Sequence, residues 1–114
     1  MDFANILTTQ DKPVIIADEH GVVIRINAAF TEAFGWTGDV LRGRSLARII
    51  PHEFREAHQM GFSRLLATGA ATLLGQELDL DIVTAGGETL TATHFIMRGE
   101  KDDRPIFAAL IVPR

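Results

Sequence analysis

The feature that most limits the fold is a run of three strand-length apolar segments in direct succession at the end of the chain. Leu78, Leu80 and Ile82 alternate with Glu77, Asp79 and Asp81, the period of two that gives a strand one apolar and one acidic face. Gly86-Gly87 then marks a tight turn. Leu90 to Met97 forms the next strand, Gly99 to Pro105 a charged turn, and Ile106 to Val112 a last strand that is apolar on both faces.

Two further strands precede these. Pro13 to Ala17 is a continuous apolar run, as expected of a buried strand, and Val22 to Ile26 is β-branched with one outward charge at Arg25. Asp18 to Gly21 joins them as a short hairpin connection. From Asn27 the period changes. Asn27 caps a helix whose apolar residues are Phe30, Ala33 and Phe34, and Gly35, Gly38 and Gly43 punctuate short turns and helical pieces. Ser45 caps another short helix through Leu46, Ile49 and Ile50, which Pro51 ends. The longest predicted helix runs from Pro51 to Thr68, closed by Gly69, with Phe54, His58, Phe62 and Leu65 on one face. Asp2 caps an amphipathic turn through Phe3, Ile6 and Leu7, a short N-terminal cap over residues 1–12. A block of helices between runs of strands is the order of an α+β domain. The expected fold is a five-stranded antiparallel sheet with helices packed on one face, enclosing one central cavity or core.

Composition narrows the function. A chain of 114 residues, 46% of them hydrophobic, suits a single domain over 1–114 with a real core. Its net charge of −4 argues against a nucleic-acid or anionic-membrane partner, since both need a basic footprint. The first residues lack a basic n-region and a secretory apolar stretch, and no run approaches the ~20 apolar residues of a membrane span. A cytoplasmic location is therefore expected. The absence of cysteine rules out disulfides, thiolate metal sites and a cysteine nucleophile. No phosphate-binding glycine loop, nucleophile elbow or kinase motif is present, so the chain is not expected to be an enzyme. His52-Glu53 with His58 misses the zinc-hydrolase spacing, because the histidines are six apart rather than four. Glu77, Asp79 and Asp81 lack the glycine and ligand spacing of a calcium loop and read as a solvated face.

The order of these pieces resembles the PAS sensory-domain family over essentially the whole chain. The resemblance rests on Asp18-Glu19-His20-Gly21, Asn27-Ala28-Ala29-Phe30, Phe34-Gly35-Trp36, Gly43, Pro51, Gly69 and Gly86-Gly87. It implies a sheet with helices on one face and a role in detecting ligands, cofactors or partners. The flavin-adduct class of photoreceptor needs a reactive cysteine, so a cysteinyl-flavin adduct is excluded here, while non-covalent flavin is not. Pro51-His52-Glu53-Phe54-Arg55-Glu56-Ala57-His58 is similar to the helix of the haem-binding oxygen-sensor class. That resemblance implies haem, with His58 as the iron ligand, Arg64 toward a propionate, Phe62 on the same helix face as His58, and Leu73-Leu74-Gly75 as apolar wall. The distal arginine of that class falls on Leu78 and a distal leucine on His94, a departure that removes arginine stabilisation of bound oxygen and makes His94 a polar distal group or a second ligand.

By alternation His94 shares a face with Leu90, Ala92 and Ile96, which makes it either a cavity-facing group or a surface-edge histidine in a shifted register. Two functions remain as alternatives. One is a sensor holding a small ligand or cofactor and relaying it through dimer or partner contacts. The other is a cofactor-free dimerisation or interaction module. In both, a homodimer or partner signalling domain is expected to dock through the sheet face or the N-terminal cap, with a charge at Ile111 as the test of the sheet face. No kinase, cyclase or DNA-binding segment accompanies the domain, which leaves an excised sensor or a free-standing protein acting through a partner.

Overall fold

The computed structural model describes residues 2–60 and 74–114. Its frame is a five-stranded antiparallel sheet in the order β2-β1-β5-β4-β3. The strands are β1 (Val14–Asp18), β2 (Val23–Ile26), β3 (Glu77–Val83), β4 (Thr89–Lys101) and β5 (Arg104–Pro113). The predicted α+β arrangement is thus observed, with β1 and β5 at the centre. Centrality explains why Val14, Ile15, Ile16 and Ala17 are all buried: both faces of β1 are covered, so the strand is apolar throughout.

The two faces are covered by different parts of the chain. On the inner face, Ile15, Ile82, Ala92 and Ile111 pack with Phe30 and Phe34 of α2 (Ala28–Phe34), with Leu41 of α3 (Gly38–Leu41), and with Ile49 of a 3₁₀ turn (Leu46–Ile49). The Phe30 and Phe34 rings meet edge to face, with centroids 5.0 Å apart, the geometry that aligns ring edge with ring face. On the outer face, α1 (Phe3–Thr8) lays Phe3, Ile6 and Leu7 against Val14, Ile16, Ala108 and Leu110. The N-terminal cap therefore packs on the side opposite the other helices. Gly99 of β4 makes room for it, because a Cβ there would lie 2.3 Å from the Phe3 ring.

Two boundaries differ from the sequence reading. Gly99 to Pro105 is not a loop: β4 and β5 stay paired out to Lys101↔Arg104. Only Asp102 and Asp103 form the turn, both with positive φ (53° and 62°). Two consecutive left-handed residues match the twist of a tight hairpin, and aspartate tolerates that region. The charges read as loop are solvated side chains on a continuing ladder. The predicted helix from Pro51 begins as a 3₁₀ turn (His52–Phe54), and residues 55–60 are helical. Its continuation to Thr68 and Gly69 lies outside the described residues. Ile111 is buried on the inner face, so a charge there would strike the core and not an outer sheet surface.

Asn27 ties these parts together. Its Oδ1 accepts from the backbone N–H groups of Val14 and Phe30, both at 3.0 Å, and so caps α2 while fixing the start of β1. Its Nδ2 donates to the carbonyls of Thr9 at 3.1 Å and Lys12 at 2.8 Å, anchoring the segment between α1 and β1. Asn27→Ala removes a helix cap and three tertiary bonds and should cost about 2–4 kcal/mol. Asn27→Asp keeps the cap but turns a carboxylate toward two carbonyl oxygens. It should still cost about 1–3 kcal/mol in urea unfolding, and wild-type stability in that variant would show that the donor side carries no weight.

Candidate functional site

Between the inner sheet face and the helical segments lies a cavity of about 570 Å³, within the range of small-ligand pockets. Two inner positions of the central strands are small and alternate with the bulky Ile15, Phe107 and Ile111 that also line the space. Ala17 of β1 and Ala109 of β5 line the floor. Larger apolar groups, Leu46, Ile49 and Ile50, form the helical wall. Phe54 and Leu80 stand at the rim, 50% and 46% exposed, which marks where the cavity opens between the start of the long helix and β3.

Register decides which strand residues reach it. His94 pairs with Leu78 on β3 and with Ile111 on β5. Ile96 pairs with Ala109. These residues share the inner face, and Leu78, His94 and Ile96 all line the cavity. The cavity-facing alternative for His94 is thus the observed one. On the opposite face Thr91 donates to Asp81 at 2.9 Å and Thr93 to Asp79 at 3.0 Å, and Asp79 also pairs with Arg114. The acids of β3 are accordingly cross-strand partners, and Asp79 and Asp81 also border the cavity where β3 forms its edge. Among the described residues no group of three or more His, Asp or Glu could hold a metal ion.

His58 lines the same cavity from the helical segment 55–60 and is half-buried. Leu74 reaches it beside the Gly75 N–H, which donates to the Ile96 carbonyl at 3.0 Å. Arg64, Phe62 and Leu73 lie outside the described residues. Sequence reasoning missed the contribution of β1 and β5, namely Ala17, Phe107 and Ala109. The available signal was the interruption of large β-branched residues by alanine in otherwise bulky strands.

The two imidazoles are the polar groups that matter. Burial pushes the His58 pKa below its ordinary value. Burial pushes His94 down as well, opposed by its hydrogen bond with the Ala92 carbonyl and by the nearby Asp79 carboxylate. Both are therefore neutral at pH 7. The Nδ1 of His94 lies 3.1 Å from the Ala92 oxygen. A carbonyl can only accept, so Nδ1 carries the proton and Nε2 keeps its lone pair. In the ligand-free protein the lowered pKa values make stability depend on pH. Above about pH 6.5 the imidazoles are neutral in both folded and unfolded chains and stability is full. As pH falls through 6.5 toward the folded value, the unfolded chain takes up protons first and stability declines. The urea midpoint of the wild type should therefore drop more between pH 7.5 and 5 than that of His94→Gln, and an equal drop would rule out this linkage.

Comparisons with known proteins agree with this geometry. Residues 7–112 match the family model described as the PAS fold. A protein of Azorhizobium caulinodans is 30% identical over 106 residues, covering 92% of this chain and 14% of that protein. The chain thus spans about one seventh of the length of that relative. Among solved structures, the PAS domain of a Desulfitobacterium hafniense protein superposes with a TM-score of 0.78 at 20% identity, covering 96% of this chain and 99% of that one. The LOV domain of the Erythrobacter litoralis EL346 blue-light activated histidine kinase gives 0.67 at 17% identity, covering 92% and 97%. Likeness at these identities concerns the fold. No described helix is long and apolar enough to cross a membrane. With the family model matched over nearly its whole length, the chain belongs to the PAS family of sensory domains typical of signal transduction.

Proposed function

We propose that this domain senses a small, largely apolar ligand held in the cavity and relays its presence through the sheet to a partner or a second copy. One observation carries the reading: two neutral imidazoles, His58 and His94, on the walls of an otherwise mostly apolar cavity of about 570 Å³. Each imidazole brings ring nitrogens that can donate to or accept from a polar atom of a ligand, which the apolar residues around them cannot do.

Haem is the specific form of this proposal, and the donor set fits it. A neutral imidazole is the form that ligates iron, and burial keeps His58 neutral. When bound, haem supplies an iron centre that takes a further ligand or changes oxidation state. His58 would hold it, while Leu78 and Ile96 would provide apolar wall. His94, with its Nε2 lone pair free of the Ala92 bond, would serve as a polar group on the cavity wall or as a second ligand. Among the described residues no lysine or arginine lines the cavity; the propionate partner that the resemblance implies, Arg64, lies outside the described residues. Non-covalent flavin is the other cofactor form, and the lack of cysteine excludes a cysteinyl adduct. Contact without a ligand, as a homodimer or with a partner domain, is favoured by the outer face, where Phe95, Met97 and Val112 are only partly buried beside α1.

The absorbance spectrum after haem addition tests the specific form. A Soret band is expected in the wild type, lost in His58→Ala and shifted in His94→Ala. Ala109→Leu fills the floor of the cavity and should abolish the band while the fold survives. A colourless wild type after reconstitution would sink the haem form. Native mass spectrometry of the purified protein then tests the wider reading. A small molecule present in the wild type and absent from Ala109→Leu supports it, and an empty wild type leaves the contact reading.

A further inference from the structure

The wall that lines the cavity has an outer side with a recess of its own. Leu46, Ile49 and Ile50 face the cavity, whereas Ser45, Ala47 and Arg48 face outward with Trp36 and Arg55. Among the described residues the two sets share none. Several parts of the recess are fixed in place. The Trp36 indole N–H donates to the Val83 carbonyl at 2.8 Å, which holds the ring. The Arg55 Nε donates to the Ile50 carbonyl at 3.2 Å, leaving its two terminal nitrogens available. Ser45 Oγ accepts from the Ala47 N–H at 3.1 Å, so its own O–H remains a donor.

Charge makes the recess unusual in this chain. Residues 42–55 carry four arginines and a single acid, Glu53, within a protein of net charge −4. Among the described residues neither Arg48 nor Arg55 forms an ion pair with a carboxylate, whereas Arg42, Arg104 and Arg114 each do. Every cation of the segment is arginine, whose planar fork of donors matches an oxyanion in two-point contact. Two like charges beside one hydroxyl donor and one fixed indole leave a deficit of negative charge that a single anionic group would fill. An extended polyanion is disfavoured by the acidity of the rest of the chain.

We propose that this recess binds a compact oxyanion, a phosphate or carboxylate group, on the guanidinium groups of Arg48 and Arg55, with the Ser45 hydroxyl as a third donor and the Trp36 ring as one side. The site is separate from the cavity, so it stands or falls independently of the ligand proposed there.

Trp36 is the single tryptophan, and its fluorescence reports the recess directly. The intact chain is titrated with inorganic phosphate and with acetate, against sodium chloride at matched ionic strength. A saturable change with phosphate is expected. Arg48→Ala and Arg55→Ala should each weaken it about tenfold, and Arg48→Lys less, because the charge stays while the fork is lost. Arg98→Ala, outside the recess, should leave it unchanged. Where an alanine variant melts early, Arg48→Gln and Arg55→Gln serve in its place. Saturation by phosphate alone assigns a tetrahedral anion, and saturation by both salts assigns a carboxylate as well. A response no different from chloride, or one that persists in the double variant, overturns the proposal.

Discussion

The four hydrogen bonds of Asn27 are the constraint on which the layered arrangement depends. A side-chain amide has two donors and two acceptor positions, and here each finds a backbone partner. The result is more than a helix cap. The same side chain starts α2 on the inner side, sets the first residue of the central strand, and holds the connection from α1 on the outer side. An apolar core cannot supply this, because hydrophobic burial is not directional, whereas an amide with four partners fixes where three segments meet.

The sheet then divides the labour between its faces by side-chain volume. Outside, Ile16 and Leu110 meet the apolar side of α1, while Phe95, Met97 and Val112 beside it stay partly buried. Inside, β1 and β5 present Ala17 and Ala109 where bulky residues would close the space. Phe30, Phe34 and Leu41 pack solidly at one end of the same face, so the cavity is a local vacancy in a sound core. Close packing is the norm in protein interiors, and voids larger than a water are few. A cavity of about 570 Å³ therefore costs contacts that the fold elsewhere obtains, contacts that the proposed ligand would supply.

How much of this was legible in the sequence follows from which physics each feature obeys. Alternation and continuous apolar runs reported the strands, since burial of one or both faces acts on each strand alone. Asn27 and Ser45 were visible as caps because capping is local. The Asp102-Asp103 turn was not, because charged residues at a strand end and in a loop look alike until the partner strand supplies the ladder. The side of the sheet taken by α1 was likewise illegible, being decided by Gly99 and Phe3, which lie 96 positions apart. His94 was left between two registers by its sequence, and pairing with Leu78 and Ile111 resolved it. The arginine-rich run 42–55 is visible in the sequence, but its grouping with Trp36 was not, because the parts of the recess come from the connection after α2, a 3₁₀ turn and the start of the long helix.

The segment from Ser45 to Arg55 carries chemistry on both sides, and this has a consequence for how the domain would respond. A 3₁₀ turn makes i→i+3 bonds of poorer geometry than an α-helix, and here two such turns flank Pro51, which has no N–H to donate. The wall is thus weakly braced from within. Leu46, Ile49 and Ile50 on one side and Arg48 and Arg55 on the other move with the same short backbone. Whatever fixes the position of that backbone from one side narrows the arrangements open to the other. Linkage requires such an effect to be reciprocal in binding free energy. A thin, weakly braced wall between two recesses is therefore a second physical route, beside the sheet, by which occupancy of the cavity would be felt at the surface.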